Sequence, residues 1–167
     1  MNNKFEKAFK VTIGHEGGYV NDIADKGGET KFGISKRSYP NIDIKNLTIE
    51  TAEDIYYKDF FNTPKMNLNL FDDNIAIELF DTGVNMGIGT ARKMLQKALN
   101  LLNRNEKLFE ELVVDGWIGS TTLKAVKKVR NRELLKTLNG LQFMKYYKIV
   151  KKNPKQERFF GGWVVRT

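Results

Sequence analysis

Ala91, Met94, Leu95, Ala98, Leu99 and Leu102 recur at i, i+3, i+4 spacing. That period places all six on one stripe of a helix and creates an apolar face that other elements must cover. The same spacing returns along the chain. Phe5, Ala8, Phe9, Thr12 and Ile13 share a helical face near the start. Ala52, Ile55, Tyr56 and Phe60 share another, running from a Thr48 cap to about Asn62. Ile75, Ala76, Leu79, Phe80 and Val84 mark a third helix over 72–85. Leu134, Leu135, Leu138, Leu141, Met144 and Tyr147 mark a long one over about 132–152, which Pro154 ends. The chain is expected to be mainly α, with little or no β-structure.

With 167 residues, 41% of them hydrophobic, the chain has material for one core or two small interdependent halves. There is no cysteine and one histidine. A disulfide framework and a thiol nucleophile are excluded, and neither a metal site nor a cofactor is expected. Met1 to Glu6 lacks the apolar core of a signal peptide. No apolar run approaches the roughly 20 residues of a membrane span. Synthesis in the cytoplasm is expected, with any export by another route. The net charge of +8 is uneven: residues 1–83 hold 10 Lys/Arg and 14 Asp/Glu, residues 84–167 hold 18 and 6. The basic half suits a polyanion, such as nucleic acid or an anionic cell-envelope surface, or is simply a solvated lysine-rich face.

The stretch after the first helix is the candidate for chemistry. It reads Gly14-His15-Glu16-Gly17-Gly18-Tyr19-Val20-Asn21-Asp22, then Asp25, then Gly27 through Ser35. Gly17-Gly18 is expected to stop the helix and leave Glu16 at its C-terminus. The negative end of the helix dipole disfavours a carboxylate there by roughly 0.3–1 kcal/mol. Partial burial would have to add to that to keep the group protonated near neutral pH, as a general acid requires. The two glycines would let a bulky ligand approach the backbone. The plainer alternative is a helix cap followed by a surface loop.

The wider pattern resembles glycoside hydrolase family 108, bacterial and phage N-acetylmuramidases that cut peptidoglycan. Glu16 to Tyr19 match its Glu-Gly-Gly-Tyr, Asn21-Asp22 its Asn-Asp, and Asp25 to Ser35 its Asp-x-Gly-Gly-x-Thr-x-x-Gly-Ile-Ser/Thr run. Ile23 departs from the usual Pro, which bears on turn stiffness. The resemblance implies a lysozyme-like helical fold and Glu16 as general acid. Phage-type lysozymes carry a Glu-x8-Asp-x5-Thr set. Here the first interval, Glu16 to Asp25, matches; the second, to Thr30, is one residue short. Asp25 is expected to stabilise positive charge at the sugar carbon or to orient water that Thr30 helps hold. Asp22 is the rival carboxylate, and turn capping is the structural alternative for Asp25. Tyr19, Asn21, Asp22 and Gly28 are expected to contact substrate.

Further segments extend the resemblance. Tyr56 to Phe61 is similar to the family's aromatic block, expected mainly in the core. Phe80-Asp81-Thr82-Gly83-Val84-Asn85-Met86-Gly87 looks like the lysozyme superfamily's Phe-Asx-x-Gly-x-Asn-x-Gly segment, making Asp81 and Asn85 either substrate contacts or helix-capping groups. Asp115-Gly116-Trp117-Ile118-Gly119 resembles peptidoglycan-binding helical modules. Asp115-Gly116 should turn, Ser120 should cap the next helix, and Trp117 either stacks on a sugar or packs. The tail Arg158-Phe159-Phe160-Gly161-Gly162-Trp163-Val164-Val165-Arg166 matches the family's closing Phe-x-x-Gly-Trp-x-x-Arg, and is expected to dock and bury Trp163. The division implied is a hydrolase region over 7–92 and a peptidoglycan-binding region over 93–166. The expected protein is a monomeric, phage-type endolysin without nucleic-acid partner. It would hydrolyse the bond between N-acetylmuramic acid and N-acetylglucosamine and reach the wall after release from the cytoplasm. A lytic transglycosylase and a non-catalytic wall-binding protein are the alternatives.

Overall fold

Helix α3 (Asp73–Met86) is buried on most sides, from Ile75 and Ala76 through Glu78 to Gly83, as a helix in the middle of a fold must be. The computed structural model, which describes residues 3–14, 18–21 and 28–167, puts it there. Helices α1 (Asn3–Thr12), α4 (Ile88–Leu101) and α6 (Asn131–Lys152) all pack against it. Asp72 caps its start, accepting from the Asn74 amide at 3.0 Å. Gly87, at φ +89°, ends it and lets the chain swing straight into α4. The six-residue stripe foreseen on α4 goes inward except for Leu102, which is half-buried.

Phe5, Phe61 and Phe80, all fully buried, form the centre of the N-terminal core. Their rings meet edge-on, with centroids 5.3 to 6.0 Å apart, the arrangement the aromatic quadrupole favours. Fully burying each such ring contributes on the order of 2–3 kcal/mol. Phe61 reaches this place by a detour. Helix α2 (Ile49–Tyr56), capped by Thr48, becomes a π-helical turn over Tyr57–Phe61 rather than continuing regularly to Asn62. The wider turn rotates the face, so Phe61 is buried and Phe60, assigned to the apolar stripe by 3.6-residue spacing, is half-exposed.

The fold is mainly α, as the periodicity requires, with two two-stranded antiparallel ribbons: β1 (Thr30–Lys31) with β2 (Ile34–Ser35), and β3 (Asn62–Thr63) with β4 (Met66–Asn67). Other details depart from expectation. Helix α1 ends at Thr12, not at Gly17-Gly18: beyond its last turn Gly14 takes φ +67° and its N–H donates to the Lys10 carbonyl at 3.1 Å. Gly119, not Ser120, is the N-cap of α5 (Ser120–Val126); Ser120 is already helical. On α6 the buried row is Leu134, Leu138, Gln142 and Tyr146, leaving Met144 and Tyr147 exposed. The closing helix α7 (Glu157–Val164) docks through rings but buries no residue, and Trp163 is half-exposed, stacked on Tyr146 at 5.1 Å. No helix among the described residues is long and apolar enough to cross a membrane.

Candidate active site and its supports

Strands β1 and β2 are joined by two residues, Phe32 and Gly33, both at positive φ (51° and 76°). This is the twist a two-residue hairpin needs, although Phe32 is an unusual residue to supply it. Tyr56 compensates by donating its hydroxyl to the Phe32 carbonyl at 3.0 Å. Gly33 is required: a Cβ there would stand 2.6 Å from the Tyr56 hydroxyl. Val20 pairs with Thr30 through two 2.8 Å backbone bonds, so residues 19–21 run alongside the hairpin.

This brings Tyr19, Asn21, Gly28, Glu29 and Thr30 to one edge. Tyr19 donates to Glu29 Oε1 at 3.0 Å, and Thr30 Oγ1 donates to the Gly28 carbonyl at 3.3 Å. The Tyr19 hydroxyl is pushed above its ordinary pKa, first by partial desolvation and then by Glu29, with Asn21 opposing. Beside the hairpin is a hollow of about 390 Å³ walled by Gly33, Ile34, Tyr39, Tyr56, Asp59 and Phe60. Tyr39 donates to Asp59 Oδ2 at 2.7 Å. Burial, and then that bond, raises the Tyr39 pKa, so the phenol keeps its proton and Asp59 accepts. The structure adds Glu29, Tyr39 and Asp59 to this region. No spacing rule pointed to them, because the pairing of residues 20 and 30 and the π-turn that presents Asp59 have no periodic signal. Glu16, Asp22 and Asp25 lie outside the described residues.

Asp81 and Asn85 are occupied within α3 and its packing. Asp81 is 5% exposed; Oδ1 accepts from Arg166 at 2.9 Å and Oδ2 from Gln142 at 3.1 Å. Asn85 donates to the Asp81 carbonyl at 2.9 Å, one turn back. The same buried layer holds Glu78, which accepts from Thr82 at 3.3 Å and, with the Asn139 amide turned to suit both groups, from Asn139 at 2.9 Å. Burial, and then the neighbouring Asp81 carboxylate, lift Glu78 to about 7 against the opposing pull of Thr82. This layer joins α3 to α6 and to Arg166.

Trp117 lies elsewhere, on a loop fixed by one buried side chain. Gln96 of α4, 2% exposed, accepts from the Gly116 N–H at 2.7 Å and donates to Asp115 Oδ1 at 2.9 Å and to the Trp117 carbonyl at 3.1 Å. Asp115 Oδ1 also accepts from the Trp117 N–H at 2.7 Å, and Gly116 turns the chain at φ +84°. The Asp-Gly turn is thus present, and the indole is held outward, 57% of Trp117 being exposed. Among the described residues no group of three or more His, Cys, Asp or Glu is placed to hold a metal.

The described part of this region is thus a hairpin edge carrying Thr30 with a hollow of mixed lining beside it. Residues 9–87 match the family model described as Glycosyl hydrolase 108, and residues 90–167 that described as Predicted Peptidoglycan domain. The two matches follow one another along the chain in the order the motifs implied. Together they make the chain a glycoside hydrolase acting on peptidoglycan. The fold is similar to the solved structure of Brucella abortus SagA, with a TM-score of 0.73 at 27% identity, over 97% of this chain and 88% of that one. No curated protein matches the chain.

Proposed function

We propose that the protein is an N-acetylmuramidase that hydrolyses the β-1,4 bond between N-acetylmuramic acid and N-acetylglucosamine. The observation that carries this reading is the match of residues 9–87 to glycosyl hydrolase 108. Glu16 is the general acid that protonates the leaving glycosidic oxygen, and Asp25 stabilises charge at the sugar carbon or orients water with Thr30. Tyr19, Asn21, Asp22 and Gly28 contact the glycan. The pairing of Val20 with Thr30 supports this assignment, because it gathers Tyr19, Asn21, Gly28 and Thr30 at one edge. Asp81 and Asn85 serve the site by holding α3, given where their polar atoms are engaged.

The biological role proposed is that of a monomeric phage-type endolysin, made in the host cytoplasm and acting on the wall after release. Its basic half, with Lys127, Lys128, Arg130, Lys151, Lys152 and Lys155 as contributors, is proposed to draw the enzyme to an anionic envelope surface. Such attraction is screened over about 8 Å at physiological salt. Lysis should therefore fall with added salt while cleavage of short soluble fragments does not; equal responses would remove the charge effect.

The deciding experiment is digestion of purified peptidoglycan, borohydride reduction and mass spectrometry, with wild type and Glu16→Gln. New muramitol ends from wild type and none from a folded Glu16→Gln protein are expected. Anhydro ends would identify a lytic transglycosylase, and lysis by folded Glu16→Gln would displace the acid. A protein that binds wall without cleaving it would be the non-catalytic alternative.

A further inference from the structure

Trp117 stands between two hollows of opposite charge. On one side, a space of about 270 Å³ is walled by Glu110, Glu111, Thr121 and Asp115. On the other, a space of about 240 Å³ is walled by Lys65, Arg92 and Lys93. Both hollows include Asp115 and Trp117, so these two residues form their common wall. Lys65, Lys93, Glu110 and Glu111 form no ion pair among the described residues. Arg92 donates to Thr63 Oγ1 at 2.9 Å.

The ring is also held in place. Gly119 lies under it so closely that a Cβ there would meet Trp117 Nε1 at 3.0 Å and Cδ1 at 3.1 Å. Gln96 fixes the backbone on either side of Gly116. A large apolar side chain kept exposed by a buried polar support is a poor arrangement for stability and a good one for binding. The site also spans the two family regions: Lys65 comes from the hydrolase part, and its carbonyl accepts from the Ile118 N–H at 3.3 Å.

A sugar alone would use the indole and neutral hydroxyl partners. It would leave Lys65, Arg92 and Lys93 with Asp115 as the one carboxylate in their hollow, and Glu110 and Glu111 on the other side with no cation in theirs. A short peptide with a carboxylate and a free ammonium separated by an aliphatic body matches all three walls: cationic hollow, indole face and acidic hollow. We propose that the Trp117 site binds the peptide stem of peptidoglycan, the carboxylate towards Lys65, Arg92 and Lys93 and the ammonium towards Glu110 and Glu111. This rests on peptidoglycan being the polymer bound, and it makes stem recognition a function of a surface shared by both regions, apart from the Thr30 edge.

The chain has two tryptophans. A 15N-labelled protein therefore gives two indole N–H signals, and Trp117→Phe assigns them. Titration uses a soluble tetrapeptide, L-alanyl-γ-D-glutamyl-meso-diaminopimelyl-D-alanine, and, separately, an N-acetylglucosamine hexamer. The expected result is a saturable shift of the Trp117 signal with the tetrapeptide and none with the hexamer. Acetylating the peptide's free amines, or Lys65→Gln with Lys93→Gln, should weaken binding about tenfold or more. A Trp117 shift with the hexamer alone, no shift with either, or affinity unchanged by both charge removals would overturn the proposal. Chemical shifts of Thr30 and its neighbours in the same spectra show whether the variants stay folded. The titration needs no catalysis, so loss of stem binding and failure of the muramidase assignment are read from separate experiments.

Discussion

Glu78→Gln isolates the energetic cost of burying a carboxyl group in the layer that joins α3 to α6. In the folded protein Glu78 holds its proton up to about pH 7; in the unfolded chain it releases it near 4.5. Between those values the folded state binds more protons, so stability falls as pH climbs through the window. Below it both states are protonated and the group contributes nothing. At about 1.4 kcal/mol per tenfold difference in proton binding, the full cost above the window is roughly 3 kcal/mol. Gln keeps the acceptor for Thr82 and carries no charge. Its new N–H group turns the Asn139 amide to accept, giving up that residue's 3.1 Å bond to the Leu135 carbonyl. Losing that bond costs about 1 kcal/mol, leaving a net gain of roughly 2 kcal/mol at pH 8. Urea unfolding followed by circular dichroism at pH 4.5 and pH 8 measures both limits. With a urea slope of about 1–3 kcal/mol/M, the variant's midpoint should exceed wild type's by on the order of 1 M at pH 8. At pH 4.5 the burial cost is nearly gone while the lost bond remains, so the variant should be up to about 1 kcal/mol less stable than wild type. A difference that is the same at both pH values, or a variant less stable at pH 8, would refute a buried Glu78 that resists ionisation.

Two other outcomes follow from the same kind of accounting. Arg166→Met removes the partner of a buried Asp81 and should cost about 2–3 kcal/mol, moderated because Gln142 remains and Arg166 is partly exposed; adding Asp81→Asn should recover much of it, and thermal unfolding of the three proteins checks the cycle. Gly33→Ala forces a side chain into positive φ and against the Tyr56 hydroxyl, so about 2–4 kcal/mol of destabilisation is expected in urea unfolding, together with loss of activity from a displaced Thr30 edge.

Helical spacing located α1, α3, α4 and α6 because each buries a face over several turns, and the apolar period records that directly. It misplaced Phe60 and Phe61, since a π-turn adds a residue that a 3.6-residue period has no way to register. The ribbons escaped notice because each strand is two residues long, too short for alternation to develop. Ser120 has the residue type of a cap, but extended Gly119 takes that position and Ser120 is already in the first turn of α5. At the hairpin edge, the motif named Tyr19, Asn21, Gly28 and Thr30. Their gathering depends on the Val20–Thr30 pairing, and the additions Tyr39 and Asp59 depend on contacts between distant segments. Trp117 was visible as a residue, but the opposite charges on either side of it are drawn from positions 65, 92, 93, 110 and 111, which no local pattern connects.

The Asp81–Arg166 pair also sets a clock. Its partners are 85 positions apart, which at about 5–20 residues per second is roughly 4–17 s of synthesis. During that interval α3 has emerged with its central carboxylate unmatched, and Gln142, 61 positions later, arrives before Arg166 does. The hydrolase part is thus finished by a side chain translated long after its own sequence is complete. A nascent chain stalled or cut before Arg166 carries the hydrolase motifs in a frame that is missing one of its ties, so the translation apparatus itself delays when a fully braced enzyme first exists.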